Sequence, residues 1–413
     1  MKFLVIGSGG REHAIAKKLL ASPQVRTVYA APGNPGMQLD GIELVPISEL
    51  ANTELVAFAK EAAVDFTFVG PENALANGVT DAFLAANLAI FAPTKAAAEI
   101  ESSKEFAKQF MAKYAIPTAH YASFTDYQAA KDYLAVVGAP IVIKADGLAA
   151  GKGVTVALDL ATAQQALENV FTDADARVVI EEYLVGEEFS LFSFVHGNKF
   201  YPMPIAQDHK RALDGDQGAN TGGMGAYSPV NHIAPAMVQT TLDTIVKPAV
   251  AGLVKEGRSF TGILYTGVIL TANGPKVIEF NARFGDPETQ VVLPRLKTDL
   301  AQVIIDLLAD RQLKLAWQET GVSLGVVVAS KGYPGKYATN IALPVFPADW
   351  DVYYAGVKAG ADGKLLSAGG RVYLLAADGA DLKAAQADVY AKLAQLEQPD
   401  MFYRHDIGAK GVK

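Results

Sequence analysis

The chain has no cysteine. Disulfides, thiolate metal sites and cysteine nucleophiles are therefore excluded, and the lack of disulfides fits a cytoplasmic protein. Long apolar runs are missing as well: none approaches ~18 residues, so no membrane span is expected. The opening Met1-Lys2-Phe3-Leu4-Val5-Ile6-Gly7 lacks the full apolar core and small-residue cleavage site of a secretory leader. Its short apolar run ends in a glycine turn and reads as a first strand. There is no basic excess either. The formal net charge is −8, which gives no support to nucleic-acid binding and makes any phosphate binding local. Internal repeats and low-complexity linkers are absent.

What is present is an ordinary soluble composition, half apolar and 19% charged, over 413 residues. That length exceeds one core and implies roughly two to four domains. Residues 1–100 alternate short apolar strands (2–6, 25–30, 65–69, 89–92) with helical patterns (11–21, 53–62, 75–87). This alternation implies a parallel sheet with helices on both faces and ligands at the carboxyl ends of its strands. Those ends carry the loops Gly7–Arg11, Pro32–Gly36 and Gly70–Asn73. The first of them lacks the third glycine of a dinucleotide fingerprint, since Glu12 stands in its place, and no acid ends the second strand. NAD binding is therefore not expected. A glycine loop opening a helix still makes an anion site through free N–H groups, with Arg11 beside it, unless it is only a structural turn.

Beyond Lys104 the texture changes. A helix at 104–114 precedes the strand 139–144 and the loop Ala145-Asp146-Gly147-Leu148-Ala149-Ala150-Gly151-Lys152-Gly153. The loop is no Walker A motif, because Gly153 stands where a serine or threonine would bind magnesium. It reads either as a lid over a triphosphate, with Lys144 and Lys152 against the phosphates, or as a mobile hairpin. The turn at 183–186 between two strands offers backbone groups to an adenine edge, and Glu188 a carboxylate to ribose, although acidic turns are common. A polar, glycine-rich segment, 206–227, is costly inside a large domain unless it contacts a ligand; His209 within it reads as a loop hydrogen-bonder. A helix is expected over 235–255 and a strand over 264–271.

The strand Lys276–Arg283 alternates strictly. Glu279, Asn281 and Arg283 share a face with Val277, while Ile278, Phe280, Ala282 and Phe284 take the other. Glu279 and Asn281 are hard oxygen donors two residues apart, a spacing suited to Mg²⁺, and Arg283 adds a fork for a carboxylate or phosphate. The plainer alternative is a solvated edge face. Residues 322–413 are smaller and β-rich, with a helix at 382–396.

Eight stretches in one order resemble the phosphoribosylamine–glycine ligase family of the ATP-grasp superfamily. They are G-S-G-G-R-E-H-A (7–14), P-G-N-P-G (32–36), V-G-P-E (69–72), I-K-A-D-G-L-A-A-G-K-G-V (143–154), E-E-Y-L-V-G-E-E-F-S (181–190), Q-D-H-K-R (207–211), N-T-G-G-M-G-A-Y-S-P (220–229) and E-F-N-A-R-F-G-D-P-E-T-Q (279–290). The resemblance implies an α/β protein. It has an N-terminal parallel-sheet, Rossmann-like domain (1–103), an ATP-grasp domain (104–315) with a glycine-rich lid (about 118–190), and a small β-rich C-terminal domain (321–413). It implies a carbon–nitrogen ligase that joins glycine to 5-phosphoribosylamine with ATP and Mg²⁺ or Mn²⁺, through a glycyl phosphate, in purine biosynthesis. A cytoplasmic monomer is expected, with a dimer as the alternative, and neither nucleic acid nor membrane as partner. A carboxylase of the same superfamily would lack the 220–225 and 9–14 stretches.

The same resemblance assigns roles. Glu279 and Asn281 hold the metal. Lys104, Lys144, Gly151, Lys152 and Gly153 meet the phosphates, and Glu181, Tyr183, Leu184 and Glu188 line the adenosine site. Asp208 and Arg283 hold glycine, with Lys144, Arg283 and Asp208 as the catalytic set. Asn220, Thr221, Gly222 and Gly223 sit where the substrates meet. Gly9, Gly10, Arg11, Glu12, Asn34, Pro35 and Glu72 take the ribose phosphate. The neighbouring strand 262–271 has no carboxylate, so Glu279 and Asn281 carry the protein's whole share of coordination.

Overall fold

The computed structural model describes residues 1–148, 153–172 and 175–412. Strand β1 (Lys2–Gly7) is apolar and buried from Phe3 to Ile6, as a parallel strand covered on both faces must be. Helix α1 (Gly10–Leu20) follows, then β2 (Thr27–Pro32), β3 (Glu43–Leu44), α2 (Asn52–Glu61) and β4 (Phe66–Val69). Next come α3 (Glu72–Ala76), α4 (Val79–Ala85) and β5 (Ile90–Phe91). The strands form one parallel sheet in the order β3-β2-β1-β4-β5. The single helix expected over 75–87 is two helices, because Gly78 takes φ +80° between them.

Helices α5 (Lys95–Ser102) and α6 (Lys104–Lys113) meet at Ser103, which caps the second by accepting from Phe106 N–H. The next unit contains β6 (Tyr121–Phe124), α7 (Tyr127–Val137), β7 (Ile141–Ala145), β8 (Val154–Ala157), α8 (Leu160–Val170) and β9 (Val178–Glu182). Its sheet runs β6-β9-β7-β8 over a core of its own that includes Leu134, Ile143 and Ile180. A third sheet is antiparallel. It contains β10 (Glu187–His196) and β11 (Lys199–Pro202), and its remaining two strands come later in the chain.

The segment expected to be a polar ligand loop is partly extended: β12 (Gln207–Asp208), β13 (Arg211–Leu213), β14 (Gln217–Asn220) and β15 (Gly225–Ser228). The helix expected over 235–255 is α9 (Pro235–Thr241), a π turn at Leu242–Val246, and α10 (Lys247–Lys255). Pro248 has no N–H to donate into the preceding turn, and a widened turn is the usual accommodation. Strands β16 (Thr261–Thr271) and β17 (Gly274–Asn281) complete the third sheet in the order β11-β10-β16-β17. Helices α11 (Thr289–Val292) and α12 (Leu300–Leu308) follow.

The C-terminal strands are β18 (Val322–Ser330), β19 (Asp351–Tyr354), β20 (Val357–Ala359), β21 (Leu365–Ser367) and β22 (Arg371–Gly379), with α13 (Leu382–Leu393) packed on them. Their main sheet runs β12-β15-β18-β22-β19, so two strands from the 207–228 segment are built into it. The same sheet is fastened to the N-terminal unit, since Tyr354 N–H donates to His13 Nδ1 at 2.9 Å and His13 Nε2 bonds Asp40 at 2.8 Å. These junctions carry the ends of β1, β4 and β17, the 221–223 turn and Arg371 to one place.

Candidate active site

Strand β17 does not alternate as its sequence suggests. Gly267 of β16 faces Glu279 and Val268 faces Val277, so Ile278 is an extra residue and forms a bulge. Val277 is consequently buried, and Ile278 turns beside Glu279 into a cavity also lined by Glu188, Asp208, Lys210 and Tyr265. The expected division of the strand into one polar and one apolar face is corrected on this point. From Glu279 onward the alternation resumes, with Phe280 and Ala282 buried.

Asn281 is oriented by acceptors. With the amide assigned from its surroundings, the nitrogen donates to Phe280 O at 3.2 Å and to Glu101 Oε1 at 3.0 Å. The opposite orientation leaves only a 3.5 Å contact from the nitrogen to Glu279 Oε1 and puts the amide oxygen against two acceptors. The favoured orientation turns Oδ1 toward the Glu279 carboxylate. Two hard oxygens then converge from one strand. Among the described residues no group of three or more His, Cys, Asp or Glu is placed to hold a metal. Such a donor pair suits a magnesium-like ion that keeps water and phosphate oxygens in its shell, and does not suit an all-protein cage.

The lysines gather around Glu181. This buried carboxylate on β9 lies 2.8 Å from Lys144 Nζ and 2.9 Å from Lys108 Nζ. Burial opposes its charge, but Lys144 and Lys108 hold its pKa below the ordinary value. Lys144 also donates to Ile278 O, beside Glu279, at 3.1 Å. Glu181 is thus the counter-ion of two lysines. Lys104 opens α6; its N–H donates to Asp146 Oδ1 at 2.6 Å and its Nζ to Gly147 O at 2.7 Å. Gly153 accepts from Ala145 N–H and closes the base of the hairpin, while Gly151 and Lys152 lie outside the described residues. Tyr183 and Leu184 occupy the half-buried turn between β9 and β10.

Asp208 ends β12 with its side chain almost wholly buried. Lys210 Nζ is 3.3 Å from its Oδ2, whereas Oδ1 has no hydrogen-bond partner among the described residues. Burial pushes the Asp208 carboxyl up, partly offset by Lys210. Half-buried Lys210 is held protonated by Tyr265, Asp208 and two glutamates, one of which, Glu188, is 3.8 Å away. Glu188 therefore faces the cavity beside Asp208. Below it, Ser190 Oγ donates to Glu288 Oε1 at 2.9 Å and lies 3.1 Å from the Tyr265 hydroxyl.

The Thr221–Gly223 turn is anchored from both sides. Thr221 Oγ1 donates to Lys210 O and accepts from Gly223 N–H. Tyr333 and Arg371 reach in from the C-terminal unit: Gly222 N–H donates to the Tyr333 hydroxyl, and Arg371 Nη1 donates to the carbonyls of Gly222, Gly223 and Asp286. Asn220 pairs with Arg211 in the β13–β14 hairpin instead of joining the turn.

The N-terminal loop carries internal carboxylate contacts at the helix start. Gly9 N–H donates to Glu12 Oε2 at 2.6 Å, and Arg11 N–H faces Asp286 Oδ2 at 3.4 Å. Carboxylates of the protein thus take two N–H groups of this helix start, and Gly10 packs against Gln290. Arg11 spans Glu12 at 2.5 Å, Phe284 O at 3.1 Å and Glu72 at 3.8 Å. Asn34 is buried and fully used: its Nδ2 donates to Ser8 O and Tyr354 O, and its Oδ1 accepts from Gly36 N–H. Its role is to tie the loop down, with half-buried Pro35 starting the short helical turn after it. Arg283 is likewise committed. Nε donates to Glu72 at 3.1 Å, Nη1 to Phe284 O at 3.1 Å, and Nη2 pairs with Glu101 at 2.9 Å. These contacts anchor the guanidinium expected to meet glycine.

Four residues escape a motif reading: Glu101, Lys108, Lys210 and Arg371. Glu101 and Lys108 lie on the buried faces of α5 and α6, where a charge itself signals a partner. Lys210 stands inside Q-D-H-K-R. Arg371 has no local signal.

Family models for phosphoribosylglycinamide synthetase match the chain in three consecutive pieces: the N domain at 1–101, the ATP-grasp (A) domain at 102–289 and the C domain at 323–410. The phosphoribosylamine–glycine ligase of Lactococcus lactis is 60% identical over 412 residues, with both chains covered completely. The protein of the same name from Streptococcus pneumoniae serotype 4 is 57% identical over 420 residues, again over both whole chains. Among solved structures, the phosphoribosylamine–glycine ligase of Thermotoga maritima superposes with a TM-score of 0.85 at 29% identity, covering 98% of this chain and 100% of its own. The chain belongs to the phosphoribosylglycinamide synthetase family, and carries its N, ATP-grasp and C domains in that order.

Proposed function

We propose that the chain ligates glycine to 5-phosphoribosylamine with ATP, through a glycyl phosphate, giving glycinamide ribonucleotide, ADP and phosphate in purine biosynthesis. The observation that carries this reading is an adjacency: Glu279 and Ile278 of the cation strand line one small cleft with Asp208, Lys210 and Glu188. A nucleotide phosphate held at Glu279 is therefore adjacent to an amino-acid site.

In the first step a glycine carboxylate oxygen attacks the γ-phosphorus and ADP leaves. In the second the amine of phosphoribosylamine attacks the acyl carbon, phosphate leaves with that oxygen, and the nitrogen loses a proton. Anionic oxygens crowd together in the first step, so cations matter more than a base. Lys144 and Lys104 stand toward the phosphates, with Lys144 fixed by Glu181. Glu279 and Asn281 would hold Mg²⁺ or Mn²⁺, which supplies further positive charge when bound. Asp208, with its unpartnered Oδ1, takes the glycine ammonium, and Lys210 takes the carboxylate in place of the committed Arg283. The Tyr183–Leu184 backbone and Glu188 receive adenosine. Phosphoribosylamine lies against the N-terminal loops, where Glu72, Arg11 and Arg283 meet. The same reading takes a cytoplasmic monomer acting on small molecules.

The test is ADP release with phosphoribosylamine generated in situ. Release should require both glycine and the amine. ADP formation independent of glycine by folded, metal-supplied protein would overturn the proposal.

A further inference from the structure

We propose that Glu101 is a positioning residue that sets the direction of the Asn281 amide and so supplies the Glu279–Asn281 pair with its second oxygen for a divalent cation. The inference rests on the reading of Glu279 and Asn281 as cation ligands.

Glu101 lies in the last turn of α5, with 6% of its side chain exposed. Its Oε2 accepts from Ala282 N–H at 2.7 Å. Its Oε1 receives Arg283 Nη2 at 2.9 Å and the Asn281 amide nitrogen at 3.0 Å. Three donors from three successive residues thus end on one carboxylate. Burial raises the Glu101 pKa to about 7 against the pull of Arg283. Ala282 N–H and Arg283 Nη2 nevertheless already donate to its two oxygens, so toward Asn281 it acts as an acceptor. An amide has donors on one side and an acceptor on the other. Facing Glu101, Asn281 must present its nitrogen. The Phe280 carbonyl on the same side imposes the same choice. The oxygen is left pointing at Glu279, where a cation would need it. Without Glu101 the amide loses its strongest acceptor and can turn its nitrogen to the Glu279 carboxylate, closing the cation site with a hydrogen bond. Outer residues that orient ligands in this way typically change metal affinity by about 10–100-fold.

Glutamine at 101 reverses the logic, because its NH₂ attracts the Asn281 oxygen. Aspartate at 281 removes the need for orientation, because both its outer atoms are oxygens. The experiment measures Mn²⁺ binding in the presence of ADP, by the loss of the free-ion EPR signal, for wild type, Glu101→Gln, Asn281→Asp, the double variant and Glu279→Ala. Glu101→Gln should weaken Mn²⁺ binding by about tenfold or more, and the double variant should bind within about threefold of Asn281→Asp alone. Wild-type Mn²⁺ affinity in Glu101→Gln, or an undiminished loss in the double variant, would overturn the role of Glu101. Wild-type affinity in Glu279→Ala would instead overturn the ligand assignment beneath it. If Gln is not tolerated in the fold, Glu101→Asp withdraws the acceptor by one methylene and should show the same weakening, rescued again by Asn281→Asp.

Discussion

Arg283 Nε donates to Glu72 Oε2 at 3.1 Å, joining the end of the cation strand to the first turn of α3 across 211 positions of chain. Burial alone would raise the Glu72 pKa, but Arg283 and Arg11 hold it at about 2, below the ordinary 4.5. A depressed carboxylate stabilises the fold above its unfolded pKa, and that contribution is lost as pH falls from 4.5 toward 2. Glu72→Gln should therefore lower unfolding stability at pH 7 by about 2 kcal/mol and flatten the acid limb in that window. Urea unfolding at pH 7 and across the window from 4.5 toward 2 measures both. An acid limb as steep as wild type would show that the pair is not the source.

Gly223 adopts φ +113°, and a Cβ there would fall 2.4 Å from Pro287 Cδ and 2.7 Å from Asp208 Oδ1. Gly223→Ala should push Asp208 out of place. The KM for glycine is expected to rise by about tenfold or more while that for ATP stays within about twofold. Equal changes in both constants would detach the 221–223 turn from the amino-acid site.

Glu279 lines the cavity, and among the described residues no ion pair holds it. Its removal should cost little stability and much activity. Glu279→Ala is expected to retain its thermal midpoint within a few degrees and lose about 10²–10³-fold or more in kcat. Near-normal turnover at limiting Mg²⁺ would show that the cation is held elsewhere.

Lys108 shares Glu181 with Lys144. Burial lowers its pKa to about 8, against the pull of Glu181. Above pH 8 Lys108 becomes neutral, Lys144 alone answers Glu181, and its charge is drawn from the phosphates. The KM for ATP should then rise as pH passes through 8. Lys108→Met should show that raised KM already at pH 7 and lose the dependence. A variant that tracks wild type from pH 7 to 9 would exclude this relay.

Much of this arrangement is legible in the sequence. The strand–helix alternation carries the parallel sheet, and E-x-N places two oxygen donors on one face of β17. Two departures had local signals that point the right way when weighted more heavily. Glu12, three residues after Gly9, is capping-box spacing and fills the helix start; Asn77-Gly78 is a turn pair inside an otherwise helical run. The bulge at Ile278 has no such signal, because it depends on how β16 is registered against β17. Glu101 and Arg371 are set by tertiary packing: one reaches β17 from α5, the other reaches the 221–223 turn from the C-terminal sheet. No spacing along the chain encodes either contact.

The central claim, that the glycine carboxylate takes the γ-phosphate of ATP before the amine attacks, is tested most directly by an isotope. Glycine labelled with ¹⁸O in its carboxylate is turned over with ATP and phosphoribosylamine, and the released phosphate is examined by mass spectrometry. The account predicts one ¹⁸O atom in each phosphate released. Unlabelled phosphate, at the same rate of glycinamide ribonucleotide formation, would contradict it.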